Sequence, residues 1–124
     1  MNSRFTLLMR LLLGLVLIVF GSNKLLHFIP LPPPTGSAAE FMNSLNATGY
    51  IFPVLGLLEI FIGALLLMRK WVAFALILLA PISINILLFH MFIDIPGLGL
   101  ALAVVLLNGI LIYKHWPQYN PLFA

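Results

Sequence analysis

Cysteine is missing from this chain of 124 residues. Its absence excludes disulfide staples, thiol nucleophiles, iron–sulfur ligation by the chain itself and covalent haem attachment. It does not report on compartment. Charge is nearly as scarce: Asp, Glu, Lys and Arg make up 7% of the residues, against about 25% in a soluble domain. So few polar side chains cannot cover a water-facing surface, so the solvent for most of this chain is lipid. Six basic residues against three acidic ones give a net charge of +3. The basic residues are scattered rather than clustered, which excludes a nucleic-acid partner and leaves them as topology signals. A dinucleotide-binding fingerprint is absent as well, so any redox role would depend on something the chain binds or adjoins.

What the chain has instead is long apolar runs, with hydrophobic residues at 63%. Four runs, 5–28, 50–68, 71–93 and 98–115, approach the roughly 20 helical residues that cross a hydrocarbon core of about 30 Å. Lipid offers the backbone no partners, so each run must be a helix. The expected fold is all-α: an integral membrane four-helix bundle forming a single transmembrane domain over 1–124, with a short external interfacial helix in the first loop. The fourth run is slightly short, and Lys114, His115 and Trp116 extend it into the interface, where His115 beside Trp116 reads as an anchor. The basic start followed by an apolar stretch resembles a signal peptide, but no small-residue cleavage pattern follows, so it is read as an uncleaved first span.

If the spans alternate, Arg4, Arg10, Arg69, Lys70 and Lys114 fall on one side, and Lys24, Glu40 and Asp94 toward the other. Basic residues collect on the cytoplasmic side, which predicts a multi-pass protein with both termini cytoplasmic. The external loop 29–49 opens with Pro30 and Pro32 to Pro34, which hold it extended. A helix then follows, with Ser37 and Glu40 spaced as a capping box, Phe41, Met42 and Leu45 on its apolar face and Gly49 as its stop. It rests at the membrane surface or lies as a lid over the bundle mouth. Asn46-Ala47-Thr48 matches a glycosylation acceptor but is too short a pattern to carry weight.

Glu59 sits near the centre of the second run. A carboxylate there costs about 3 kcal/mol on insertion scales, which makes it a functional-site candidate. Gly49, Pro53, Gly56, Glu59 and Gly63 recur at spacings of three and four, one stripe of a helix, and small residues mark close helix contact in membranes. Glu59 is therefore expected to face protein, with Lys24, Asn85 and Asn108 as neighbours in the outer half of the bundle. Arg10, in the apolar inner half, can snorkel to the surface. Pro81 frees the carbonyl of Ile77 and favours a kink below Asn85. Two readings stay open: a Glu59–Lys24 pair bridged by asparagines that locks the bundle, or a polar pocket opening outward with Glu59 as its floor. In the second, Glu59 exchanges a proton, while Asn23, Lys24, His27, Asn85, His90 and Asn108 bind the ligand. His27 and His90 could ligate haem b, and with Asp94 a metal, but a hydrogen-bonding interfacial histidine is the commoner role, so no metal site is assigned.

The ordered set Gly-Leu-Val-Leu-Ile-Val-Phe-Gly-Ser-Asn-Lys-Leu-Leu-His (14–27), the Pro-rich loop, Ala-Thr-Gly-Tyr-Ile-Phe-Pro-Val-Leu-Gly-Leu-Leu-Glu (47–59) and Pro-Ile-Ser-Ile-Asn-Ile-Leu-Leu-Phe-His (81–90) resembles the DoxX family over nearly the whole chain. The resemblance implies a small four-span protein of the bacterial inner membrane, near respiratory or redox chemistry. Members are associated with a thiosulfate:quinone oxidoreductase and with membrane complexes for oxidative stress, while wider relatives include chaperones and cargo receptors. Its polar positions correspond here to Asn23, Lys24, His27, Glu59, Asn85 and His90. Two functions follow as expectations. One is a site for a quinone or other lipid-soluble ligand in an oxidoreductase subunit, which would need a redox partner protein or bound haem to pass electrons. The other is a non-enzymatic assembly factor, chaperone, anchor or small transporter, bound to a partner helix or to a second copy of itself, in which Glu59 and Lys24 are structural.

Overall fold

The computed structural model describes residues 3–123. Four helices are long and apolar enough to cross a membrane, and they pack as a bundle: α1 (Arg4–Leu26), α3 (Ile51–Met68), α4 (Val72–Ile93) and α5 (Leu98–Lys114). A short α2 (Gly36–Ala47) lies between α1 and α3, a single 3-10 turn (Ile95–Gly97) leads into α5, and α6 (Trp116–Tyr119) follows it. With its 3-10 turn the last span has 20 residues, about 30 Å of helix. This is an all-α, multi-pass membrane protein. One end of the bundle holds the start of α1, the α3–α4 turn and α6. The other holds α2 and the 3-10 turn. They are called here the terminal end and the loop end.

The closest packing is between α1 and α3, and glycine makes it possible. A Cβ on Gly21 would come within 2.8 Å of the Gly56 carbonyl oxygen, and one on Gly63 within 2.7 Å of the Gly14 oxygen. The reciprocal pairs, Gly14 with Gly63 and Gly21 with Gly56, run in opposite directions along the two helices, so the helices are antiparallel with the register set two turns apart. The α-hydrogen standing where a side chain would be points at the opposite carbonyl, the geometry of a Cα–H···O contact. Lipid gives helices no hydrophobic reason to associate, so such close approach is a main source of attraction. Around this seam α1 also packs on α5, α4 packs on α5 and α3, and the four helices close a ring.

The apolar core lies toward the terminal end. Met9, Leu13 and Leu17 from α1 meet Ile62, Leu65 and Leu66 from α3, with Ala75, Leu76 and Leu79 of α4 and Leu111 of α5. Toward the loop end the buried residues are small or polar: Gly21, Asn23, Gly56, Glu59 and Ala101. Outward faces carry exposed Leu12, Leu57, Ile84 and Leu106, as a lipid-facing surface requires. Exposed Trp71, Tyr113 and Trp116 at the terminal end, and Phe28, Tyr50 and Phe92 at the loop end, stand where aromatic belts sit in membranes.

The helix ends are built locally. Ser3 caps α1, its Oγ accepting from the Thr6 amide at 3.1 Å. The turn after α3 is a Schellman motif, with Lys70 N–H donating to the Leu65 carbonyl and Arg69 N–H to Leu66. Its left-handed position, usually glycine, is Arg69 at φ 55°, and Trp71 follows at φ 50°. Arg10 is buried rather than snorkelling, and its guanidinium donates to the Leu66 carbonyl, a further cap on α3. His115 is also buried, with Nδ1 2.8 Å from the Leu111 carbonyl, instead of standing in the interface. The Tyr119 hydroxyl donates to the Ala73 carbonyl at 2.6 Å and ties α6 to the start of α4. Burial pushes its pKa up to about 12, so the phenol keeps its donor proton at physiological pH.

The expected capping box in α2 does not form. The helix starts two residues earlier, with Thr35 at the N-cap and no side-chain capping bond, because Gly36 at φ 60° turns the chain before Ser37. Its inward face is Ala38, Met42 and Leu45, and the Phe41 ring lies 5.5 Å from Phe89 of α4. Thr48 finishes α2 and starts α3: its hydroxyl donates to Leu45 O at 2.7 Å and accepts from Ile51 N at 3.3 Å. Pro81 lies inside a continuous α4; one residue before Ile77, whose carbonyl it frees, the Asn108 side-chain amide donates to Leu76 O at 3.0 Å.

The seam makes a direct prediction. Gly63→Ala or Gly21→Ala forces main chain off main chain and should cost about 1–3 kcal/mol, read as a lowered unfolding midpoint in detergent. Gly109→Ala, with nothing within 4 Å of its Cβ, should cost nothing.

Candidate functional site

Across the glycine seam, one turn from Gly21 and Gly56, Lys24 Nζ donates to Glu59 Oε1 at 3.0 Å. The seam brings them together: the Cβ sought by Gly56 would meet Lys24 Cβ at 3.1 Å, and that of Gly21 would meet Glu59 Cβ at 2.9 Å. The two side chains therefore leave the closest crossing of the bundle already within reach of each other. Their environments differ. The Glu59 side chain is 3% exposed and that of Lys24 25%, so the ammonium reaches the bundle surface while the carboxylate does not. Glu59 Oε1 is bonded, but Oε2 is buried with no hydrogen-bond partner. An unsatisfied carboxylate oxygen in apolar surroundings is costly, and it is the place where a donor from outside the chain would gain most.

The other residues anticipated around Glu59 are held elsewhere. Asn23 closes the chain after α1: Ile29 N donates to its Oδ1 at 2.7 Å and its Nδ2 reaches Ile29 O at 3.4 Å. His27 is the left-handed C-cap of α1 at φ 54°, exposed, with its backbone N–H on Asn23 O. Asn108 is buried between α5 and α4, where the Ser83 hydroxyl lies 2.9 Å from its Oδ1. Asn85 is on the outward face of α4, exposed, and folds its Nδ2 back onto the Pro81 carbonyl at 2.7 Å. His90 Nδ1 lies 3.0 Å from Asp94 Oδ2 and 3.1 Å from Asp94 O, and its ring rests on Gly97. Pro53, anticipated on the glycine stripe, is exposed and off it, in the first turn of α3, where a missing N–H costs nothing.

The geometry thus brings Lys24 and Glu59 together, without asparagine bridges, and separates them from a second cluster (Ser83 with Asn108) and a third (His90 with Asp94). A cleft of about 420 Å³ opens at the loop end beside the third, lined by Thr35, Ser37, Phe92, Asp94 and Pro96 among others. Neither Glu59 nor Lys24 borders it. Among the described residues, no group of three or more His, Asp or Glu is placed to hold a metal. The Ser83–Asn108 bond was not anticipated as a pair. The signal available was Pro81, which disrupts the α4 hydrogen-bond ladder within one turn of Ser83.

No protein-family model, curated protein or solved structure matches the chain.

The burial asymmetry of the pair predicts an asymmetric mutant cycle. Lys24→Met strands a buried carboxylate and should destabilise by about 3 kcal/mol, the lower end of the range for a broken buried pair. Glu59→Leu leaves a lysine that can turn to water and should cost less. The double variant should recover most of the Lys24→Met loss, all measured as unfolding midpoints in one detergent.

Proposed function

We propose that this chain is a DoxX-like subunit of the bacterial inner membrane in which the Lys24–Glu59 pair receives the polar head of a lipid-soluble ligand of the quinone–quinol class. The observation that carries the reading is the buried, unpartnered Glu59 Oε2. A quinol hydroxyl is a donor of the right kind for that oxygen, and the Lys24 ammonium, on a side chain one-quarter exposed, offers donors to a quinone carbonyl. An apolar ring and tail would lie among the lipid-facing side chains. Glu59 is then the group that gives and takes the proton, while electrons pass to a partner protein. Both termini face the cytoplasm in this reading, because Arg4, Arg10, Arg69, Lys70 and Lys114 all belong to the terminal end. Asn23, His27, Asn85, His90 and Asn108 enter as supports of the fold around the site, each with the local hydrogen bond described above where it has one.

A second reading has its own observation. The glycine seam encloses the pair so closely that Lys24 and Glu59 could serve only to pin α1 to α3, in an assembly factor, chaperone or anchor. Extraction of lipids from protein purified in mild detergent separates the two. The quinone reading predicts near-stoichiometric isoprenoid quinone with the wild type. It predicts about tenfold less with Glu59→Gln, the loss of one charge-assisted hydrogen bond, and an unfolding midpoint that Glu59→Leu lowers less than it lowers ligand retention. Wild-type protein free of quinone, or Glu59→Gln protein retaining it in full, contradicts that reading and leaves the structural one.

A further inference from the structure

The face of α4 that the bundle leaves open carries one group that lipid does not suit. Phe74, Ile77, Pro81, Asn85, Leu88 and Phe92 recur at spacings of three and four, and all six are exposed. They form one stripe along the helix. Asn85 sits in the middle of that stripe, eight residues before Ile93, so about 12 Å inside the loop end of the span. Among the described residues it is the only exposed polar side chain more than one turn from the end of a span. Its Nδ2 donates one hydrogen to the Pro81 carbonyl at 2.7 Å. A side-chain amide has a second N–H and an oxygen acceptor besides, and neither has a partner among the described residues. Hydrocarbon supplies none, so both stay unsatisfied unless another chain brings a matching group.

We infer that this face of α4 docks a second copy of the chain, with the two Asn85 amides hydrogen-bonded to each other at the centre of the contact. The choice of partner follows from symmetry. Copies of one chain share one orientation in the membrane, since the same basic residues direct each of them. A two-fold axis between them then runs along the membrane normal and sets the two α4 helices side by side in the same direction. Residues facing the axis meet their own counterparts at equal depth. A second copy therefore presents an amide opposite Asn85 without any further requirement. Each amide gives its free N–H and takes one at Oδ1, so two bonds form and the bond to Pro81 is kept. Phe74 and Ile77 on one side, and Leu88 and Phe92 on the other, close around the pair and shut lipid out. Polar side chains join membrane helices in this way where apolar surface alone gives no reason to associate. The contact lies outside the α1–α3 seam and does not involve Lys24 or Glu59.

The test uses full-length protein in phosphatidylcholine vesicles, with the dissociation constant read from energy transfer between terminally labelled copies as lipid dilutes the protein. The wild type should associate as a dimer. Asn85→Leu should raise the dissociation constant about tenfold, the loss of two interhelical hydrogen bonds of ordinary strength. The Asn85 side chain bonds only to its own helix within one chain, so the unfolding midpoint of the monomer in detergent should hold, which separates docking from folding. Asn85→Gln keeps an amide and should recover part of the loss. Because the chain has no cysteine, single introduced ones locate the contact. Leu88→Cys should cross-link copy to copy on oxidation, and Leu106→Cys, exposed on α5, should not. A wild type that stays monomeric at high protein-to-lipid ratio overturns the proposal. So does an Asn85→Leu dimer as tight as the wild type, or cross-linking through Leu106→Cys rather than Leu88→Cys, which places the contact on another helix.

Discussion

Where α1 crosses α3, main chain meets main chain, and most of what is distinctive in this molecule depends on that contact. Gly14 and Gly21 lie two turns apart, as do Gly56 and Gly63, so the two helices can touch at two points without a side chain between them. Two points of contact define a line, and the line fixes both direction and register. Sliding α3 by one residue would set Leu57 or Ala64 against the opposite carbonyl, where no room exists for them. In water the hydrophobic effect would favour many packings of such apolar helices. In lipid that driving force between helices vanishes, and the arrangement that lets backbones approach is selected.

The seam also explains why a carboxylate is tolerated in the bundle. Glu59 stands one turn from Gly56 on the same stripe, and Lys24 one turn from Gly21. The close approach leaves their Cβ atoms near the opposite backbone and so delivers the ammonium to the carboxylate. A buried pair of this kind is seldom a source of net stability, because desolvation takes back what attraction gives. Stability resides at the terminal end, in the Leu and Ile cluster and in the carbonyl caps made by Arg10 and Tyr119. The molecule is therefore divided along the membrane normal. One half is packed with aliphatic side chains, and the other is built of glycine, alanine and polar groups, with one oxygen left unsatisfied.

The division was largely readable from residue order. The four spans follow from run length alone, and the stripe of Gly56, Glu59 and Gly63 follows from helical periodicity. The pairing of Glu59 with Lys24 followed from charge, since no other cation lies inside the loop half. What could not be read was rotation. Asn85 and Asn108 sit at similar depths, but depth does not say which way a side chain faces in a helix that is apolar all round, as α4 is. One turned inward to Ser83 and the other outward onto Pro81. The α2 cap was misplaced for a similar reason: Ser37 and Glu40 have the spacing of a capping box, but Gly36 takes a left-handed conformation that begins the helix before them. Arg10 and His115 looked like interfacial groups because charge and polarity near a span end usually seek water. Here each found a backbone carbonyl first.

The chain's lack of cysteine makes the seam directly measurable. Leu67 Cγ lies 3.0 Å from where a Cβ of Gly14 would stand, close to the separation a disulfide sulfur needs. A Gly14→Cys/Leu67→Cys protein, oxidised in its native membrane, should form an intrachain disulfide readily. Gly14→Cys/Ile60→Cys, two turns out of register, should not. The reverse pattern, or equal cross-linking of both pairs, would contradict the antiparallel glycine register on which the placement of Lys24 against Glu59 rests.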